Sequence, residues 1–254
     1  MVGSALLKFL NKEGYENILK RTRSELDLID QKRTLEFFKS ENPEYVFLLA
    51  AKVGGINANN KYRGQFIYEN LMIQNNVIHS SYLSSVKKLI FIGSACIYPK
   101  FAEQPISENE LLNGYLEKTN EPYAVAKIAG IKLCQSYFEQ YKNNFISLMP
   151  NNLYGPNDNF DLETSHVIPA LIRKFHQAKL SSKDQVTVWG TGNPQREFVH
   201  VDDLVSAMIF TMKNIDAKQI YTRGISHINV SSGEEVSIKD LAFMVKKITG
   251  FQGE

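Results

Sequence analysis

Two cysteines in 254 residues are too few for a disulfide framework, so the chain is not stapled in the manner of small secreted domains. Long apolar runs are missing as well: residues 45–51 and 89–92 fall far short of the roughly 20 residues a membrane span needs. Charge of one sign is scarce. Twenty-nine basic against 27 acidic side chains leave a net charge of +2, and no Lys/Arg block exceeds the pair in Arg21-Thr22-Arg23, which argues against a nucleic-acid partner. The opening Met1-Val2-Gly3-Ser4-Ala5-Leu6-Leu7 lacks the charged start and cleavage site of a secretory leader. We therefore expect no membrane, nucleic-acid or metal partner, and a reducing cytoplasm as the setting. What is present is core material: 43% hydrophobic, 11% aromatic and 22% charged residues exclude a disordered or fibrous chain.

Periodicity predicts alternating elements. Leu6, Leu7 and Leu10 mark a helix, residues 17–23 a strand, and Thr34, Leu35, Phe37 and Phe38 a second helix. Residues 45–51 read as a strand buried on both faces, 66–86 as a helix, 88–93 as a strand, 123–141 as a helix and 145–149 as a strand. This order specifies an α/β fold, a doubly wound parallel sheet of Rossmann type with right-handed crossovers. After Pro150 we expect a smaller lobe, with a helix at 167–178, strands at 186–189 and 197–200, a helix at 202–212, a strand at 227–230 and a last helix at 238–248 capped by Gly250. The boundaries predicted are 1–150 plus about 198–232 for the sheet domain, and about 151–197 plus 233–254 for the lobe. A doubly wound sheet opens with a strand, yet the helical pattern begins near residue 3, so we expect a fragment whose first strand lies outside it.

Tyr123 and Lys127 stand one turn apart on one helix face, where the ammonium can favour the phenolate. Bringing a tyrosine from about 10 to about 7 needs roughly 4 kcal/mol of differential stabilisation. An ordinary surface pair is the plain alternative. Ser94-Ala95-Cys96 follows the buried strand at the carboxyl edge, where doubly wound folds bind ligands. A hydroxyl there can hold a substrate carbonyl, and Cys96 can serve as acid or base. Cys96 can equally be a small buried hydrophobe, which is how Cys134 reads.

Three motifs carry a family resemblance: Ser94-x-Cys96-Ile97-Tyr98-Pro99, Asn120-Glu121-Pro122-Tyr123-Ala124-x-Ala126-Lys127-Ile128-Ala129-Gly130, and Asn152-Leu153-Tyr154-Gly155-Pro156. They resemble the extended short-chain dehydrogenase/reductases acting on nucleotide sugars, the NAD-dependent epimerase/dehydratase family, and most nearly its GDP-L-fucose synthase branch. The resemblance runs on through residues 50–56, 165–171 and 188–203 and covers essentially the whole chain. It implies an NADP(H)-dependent homodimer that epimerises GDP-4-keto-6-deoxy-D-mannose at C3 and C5 and then transfers hydride to C4, giving GDP-L-fucose. It assigns the acid–base pair to Cys96 and His166. Ser94 and Tyr123 would hold the ketone and enolate, while Lys127 would lower the tyrosine pKa and bind the nicotinamide ribose. On its own, His166 reads more readily as a surface or helix-capping histidine.

By the same resemblance Asn152 and Leu153 line the nicotinamide side, Gly93, Ser94, Lys127 and His166 also bind the cofactor, and Lys174, Trp189 and Arg196 take the GDP-sugar. The cofactor choice also has a physical argument. The end of the second strand offers a carboxylate to the ribose of NAD but a cation to the 2′-phosphate of NADP, and here it offers Arg21-Thr22-Arg23. Arg23 is the expected contact, with Asp27 and Leu28 beside the adenine; a solvated basic pair is the alternative. Of the glycine fingerprint only Gly3 is present, and Ala95 stands where relatives usually carry a hydroxyl residue. Two rival readings are another epimerase or dehydratase of the same fold, and an incomplete or pseudo-enzyme that binds through helices 66–86 and 123–141.

Overall fold

Residues 88–92 and 145–150 are buried along their whole length and pair in parallel, which makes them the centre of a sheet. In the computed structural model, which describes residues 1–254, the elements are α1 (Val2–Lys12), α2 (Gln31–Glu41), β1 (Tyr45–Leu48), α3 (Ile56–Lys61), α4 (Arg63–Leu83), β2 (Lys88–Ile92), α5 (Glu121–Tyr141), β3 (Phe145–Pro150), β4 (Asn152–Tyr154), α6 (Val167–Leu180), β5 (Gln195–His200), α7 (Val201–Asn214), α8 (Ala217–Tyr221), β6 (Ile228–Val230), β7 (Glu235–Ser237) and α9 (Ile238–Thr249). The parallel sheet has the order β1-β2-β3-β6, and a second sheet has the order β4-β5-β7. No helix is long and apolar enough to cross a membrane.

Both faces of the parallel sheet are covered, so its central strands are apolar at every second position on each side. Leu89, Phe91, Phe145 and Met149 pack with Phe38, Ile73, Val77 and Ile131, from α2, α4 and α5. Ile90, Ile92, Ile146 and Leu148 pack with Leu6, Leu204, Val205 and Met208, from α1 and α7. Burying one such side chain contributes about 1.5–3 kcal/mol. A third core joins α6 to α9 through Leu171, Phe175, Leu241 and Val245. Gly250 ends α9 at a φ of 69°, the left-handed cap expected of it.

Three strand expectations need correction. Residues 17–23 form no strand: the sheet ends at β1, and an extended segment without a hydrogen-bonded neighbour remains a loop. Residues 186–189 form none either. Val186 N–H donates to Glu254 O at 2.7 Å, and Val186 and Val188 pack against the α6–α9 core, so their alternation reflects helices beneath them. β1 stops at Leu48 and is only partly buried, because it is the sheet's edge. Four short elements, α3, α8, β4 and β7, left no periodic signature.

Candidate active site

β2 delivers the chain to the carboxyl edge of the sheet, where it turns sharply. Gly93 permits this: a Cβ there would lie 2.2 Å from the Met149 thioether. Ser94 then caps a 3-10 turn over Ala95–Ile97, its Oγ accepting from the Cys96 N–H at 3.5 Å. Opposite this turn α5 begins, with Pro122 in its first turn, and presents Tyr123 and Lys127. Lys127 is 3% exposed; its Nζ donates to Ile92 O at 2.8 Å and stands 4.8 Å over the Phe91 ring. Gly130 makes that approach possible, since a Cβ there would sit 2.5 Å from Phe91 Cζ. Phe66 meets the Tyr123 ring edge-on at 6.1 Å.

Ser94, Cys96, Tyr123 and Lys127 thus converge, and their protonation follows from burial. Burial raises the Cys96 thiol to about 11, against Ser94 and the Lys127 charge, which lower it. Burial lowers Lys127 to about 8, opposed by Cys96. Tyr123 is held well above its ordinary value, by burial first and then by Cys96, with a hydrogen bond from Ser94 opposing. The expected lowering of Tyr123 by Lys127 is absent: the ammonium is committed to Ile92 O, 5.7 Å from the ring centre, and desolvation of a phenolate wins.

His166 is the N-cap residue of α6, but its side chain makes no capping hydrogen bond. Burial lowers its imidazole below the ordinary 6.5, with Asp158 acting the other way. Gly55 N–H donates to Thr164 O at 2.9 Å, and a Cβ on Gly54 would stand 3.3 Å from Phe66. The segment before His166 therefore lies against the loop after β1, beside the ring that touches Tyr123. No hydrogen bond joins His166 to the other four residues.

Along the same edge Arg23 pairs through Nε with Asp27 at 3.5 Å and through Nη1 with Glu69 at 3.3 Å, while Glu69 also takes Lys52 at 3.0 Å. Leu28 is fixed by its carbonyl, which accepts from Asn76 Nδ2 at 2.8 Å. Gly3 lies in the first turn of α1, its open side 4.0 Å from Leu49 Cδ1. Sequence reasoning missed Lys52, Glu69 and Asn70. Asn70 clamps Lys52 with two bonds of 3.0 Å, to its N–H and from its own amide to the carbonyl. The available signal was the break in apolar periodicity along α4, where Asn70, Gln74 and Asn76 are all buried.

On the far side Lys174 Nζ stands 4.4 Å over the Trp189 ring, which is itself exposed, and donates to Thr187 O at 3.3 Å. Arg196, the second residue of β5, is exposed and makes no hydrogen bond or ion pair with either residue; its Nη1 donates to Gln195 O. Asn152 Nδ2 donates to Glu197 O at 3.1 Å, and Leu153 packs beside Val199 in the core of the parallel sheet.

A sequence model of the NAD dependent epimerase/dehydratase family matches residues 1–230. The chain is 56% identical over 254 residues to a putative GDP-L-fucose synthase 2 of Arabidopsis thaliana, covering all of this chain and 75% of that one. It is 51% identical over 257 residues to the GDP-L-fucose synthase of Escherichia coli (strain K12), covering 100% and 79%. Among solved structures, a GDP-D-glycero-L-gluco-heptose synthase from Campylobacter jejuni, determined in the presence of NADPH, superimposes with a TM-score of 0.93 at 45% identity, covering 100% and 84%. With a parallel sheet, a Ser–Tyr–Lys group at its carboxyl edge and these relatives, the chain belongs to the NAD dependent epimerase/dehydratase family.

Proposed function

We propose that the chain converts GDP-4-keto-6-deoxy-D-mannose into GDP-L-fucose by epimerisation at C3 and C5 followed by NADPH-dependent reduction at C4. The observation that carries this reading is the convergence of Ser94, Cys96, Tyr123 and Lys127 at one strand end. The family, and relatives at 51–56% identity that carry the name GDP-L-fucose synthase, support it.

The residues suit the dinucleotide. Arg23 is largely exposed and leaves its Nη2 without a partner, a cation available to a 2′-phosphate. Lys127 would take the nicotinamide ribose, with Gly93, Asn152 and Leu153 on the nicotinamide side and Gly3 at the N-terminus of α1. When bound, NADPH supplies the hydride that reduces the C4 ketone. We assign 1–150 and about 198–232 to the dinucleotide, and about 151–197 and 233–254, with Lys174, Trp189 and Arg196, to the GDP-sugar. A reducing cytoplasm suits a site that requires Cys96 as a free thiol, and helices α4 and α5 form the homodimer.

The C4 ketone acidifies the hydrogens on C3 and C5, so one acid–base pair can serve both centres. At neutral pH the Cys96 thiol keeps its proton, and His166, lowered by burial, is the free base. His166 therefore removes a proton from one face and Cys96 delivers one to the other, and exchange with solvent returns both to their starting protonation before the second centre is inverted. Ser94 and Tyr123 hold the carbonyl oxygen while it carries enolate charge. Tyr123, kept as a phenol by burial, later gives its proton to that oxygen on reduction.

The test is Cys96→Ser. Inversion at C3 and C5, read as formation of the epimerised ketone, is expected to fall by about 10²-fold or more, as for loss of an acid–base group, while reduction of a pre-epimerised ketone persists. Undiminished inversion removes Cys96 from the mechanism.

A further inference from the structure

Two residues beyond Cys96, Tyr98 is almost wholly buried and its hydroxyl meets two partners, His227 Nε2 at 2.6 Å and Asn229 Oδ1. A phenol has one proton, and the amide oxygen of Asn229 can only accept, so Tyr98 donates to Asn229. His227 Nε2 must then carry a hydrogen and donate to Tyr98, which leaves Nδ1 to accept from Ser226 Oγ at 2.9 Å. Asn229 continues the chain, its Nδ2 donating to Ile106 O at 3.2 Å and its N–H to Glu108 Oε1 at 3.0 Å. Every hydrogen bond points the same way, from Ser226 through His227, Tyr98 and Asn229 to the loop at 106–108. The neutral state of His227 that this needs is the one burial enforces, holding it at about 4.

The turn bearing Ser94 and Cys96 has weak internal ties. Its bonds are 3.3 Å from Ile97 N–H to Ser94 O, 3.3 Å from Tyr98 N–H to Ala95 O, and 3.5 Å from Cys96 N–H to Ser94 Oγ. Ser94 is steadied from behind by the sheet, through Gly93 N–H to Leu148 O at 2.9 Å, whereas the Cys96 end of the turn packs against α5 and is anchored below by the buried Ile97 and Tyr98. We propose that Tyr98, locked by His227 and Asn229, is a positioning residue that fixes the Cys96 thiol for epimerisation while leaving reduction, which uses Tyr123 and Lys127 on α5, to a separate support. This rests on the function proposed above.

The first readout needs no substrate. In Tyr98→Phe, alkylation of Cys96 by iodoacetamide, followed by peptide mass, is expected to quicken about tenfold, with the fully buried Cys134 as internal reference. An unchanged rate overturns the proposal whatever reaction the protein catalyses. The second readout is partition: inversion at C3 and C5 is expected to fall tenfold to a hundredfold while reduction of a pre-epimerised ketone stays within about threefold. Equal losses in both reactions overturn it. His227→Gln, which keeps a donor near the Nε2 position, is expected to retain the parent alkylation and inversion rates, and His227→Leu to behave as Tyr98→Phe. Should Tyr98→Phe not fold, that pair decides, and identical behaviour of Gln and Leu overturns the proposal. A parent protein showing neither inversion nor reduction overturns the function instead.

Discussion

Arg23 pairs with two carboxylates through Nε and Nη1, and its side chain stays 65% exposed. Arg23→Asp replaces that cation with a negative charge, and a charge-assisted hydrogen bond is worth about 1.5–3 kcal/mol. The ratio of kcat/KM for NADPH over NADH is expected to drop by about tenfold to a hundredfold; an unmoved ratio places the phosphate elsewhere. His227 makes a different prediction. Buried and neutral, it has its folded pKa lowered to about 4 from 6.5, so the unfolded chain takes up its proton first as pH falls. The stability it contributes is complete above pH 6.5 and is lost between 6.5 and 4, on the order of 3 kcal/mol. Denaturant titrations across that range are expected to show the loss in the parent and a flatter profile in His227→Gln. The residue types at Ser94, Tyr123 and Lys127 were legible because each lies within one short motif. The partner of Tyr98 lies 129 positions away, and no local pattern connects them.

Among the elements, α5 rests on β2 through the smallest side chain available. A methyl group at position 130 would stand 2.5 Å and 2.6 Å from two atoms of Phe91 and 3.0 Å from Gln74 Oε1, and Phe91 is 1% exposed. The ring has nowhere to retreat. Gly130→Ala is therefore expected to lower stability by about 1–3 kcal/mol, despite the better helix propensity of alanine, and calorimetry reads it as a reduced Tm. A rise in Tm would show that α5 can shift. β2 and β3 were readable from sequence because both faces are covered, so apolar residues run without a break. Residues 17–23 carried a strand-like composition with no neighbour to pair with, and pairing is a non-local fact. At 186–189 the alternation was real, but Val186 and Val188 point at α6 and α9.

For the whole molecule, the outer face of α4 and α5 carries stacked aromatic rings, Tyr82 on Tyr141 at 4.3 Å with Tyr137 beside them at 5.4 Å and 5.5 Å. Tyr141 and Leu83 are 43% and 47% exposed. If this face forms the homodimer, Tyr141→Glu places a charge in it and is expected to weaken association by at least tenfold in sedimentation equilibrium, with the fold retained by circular dichroism. Unchanged association puts the dimer contact elsewhere.

β3 ends at Pro150 and β4 begins at Asn152, so at this crossing a single residue, Asn151, carries the chain from one sheet into the other. It is clamped on both sides, its N–H to Val230 O at 3.1 Å and its amide to Glu197 at 2.6 Å. A tilt of the three-stranded sheet against the four-stranded one would bend the chain at Asn151 and at 231–234, where β6 passes to β7, and points next to such a crossing travel least. Asn152 and Leu153 would stay in step with Ser94 and Tyr123, while Lys174 on α6 and Trp189, which follows Val188 of the α6–α9 core, ride the lever arm. A long ligand gripped at both ends could thus be tightened or released at its nucleotide without disturbing the carbon that reacts.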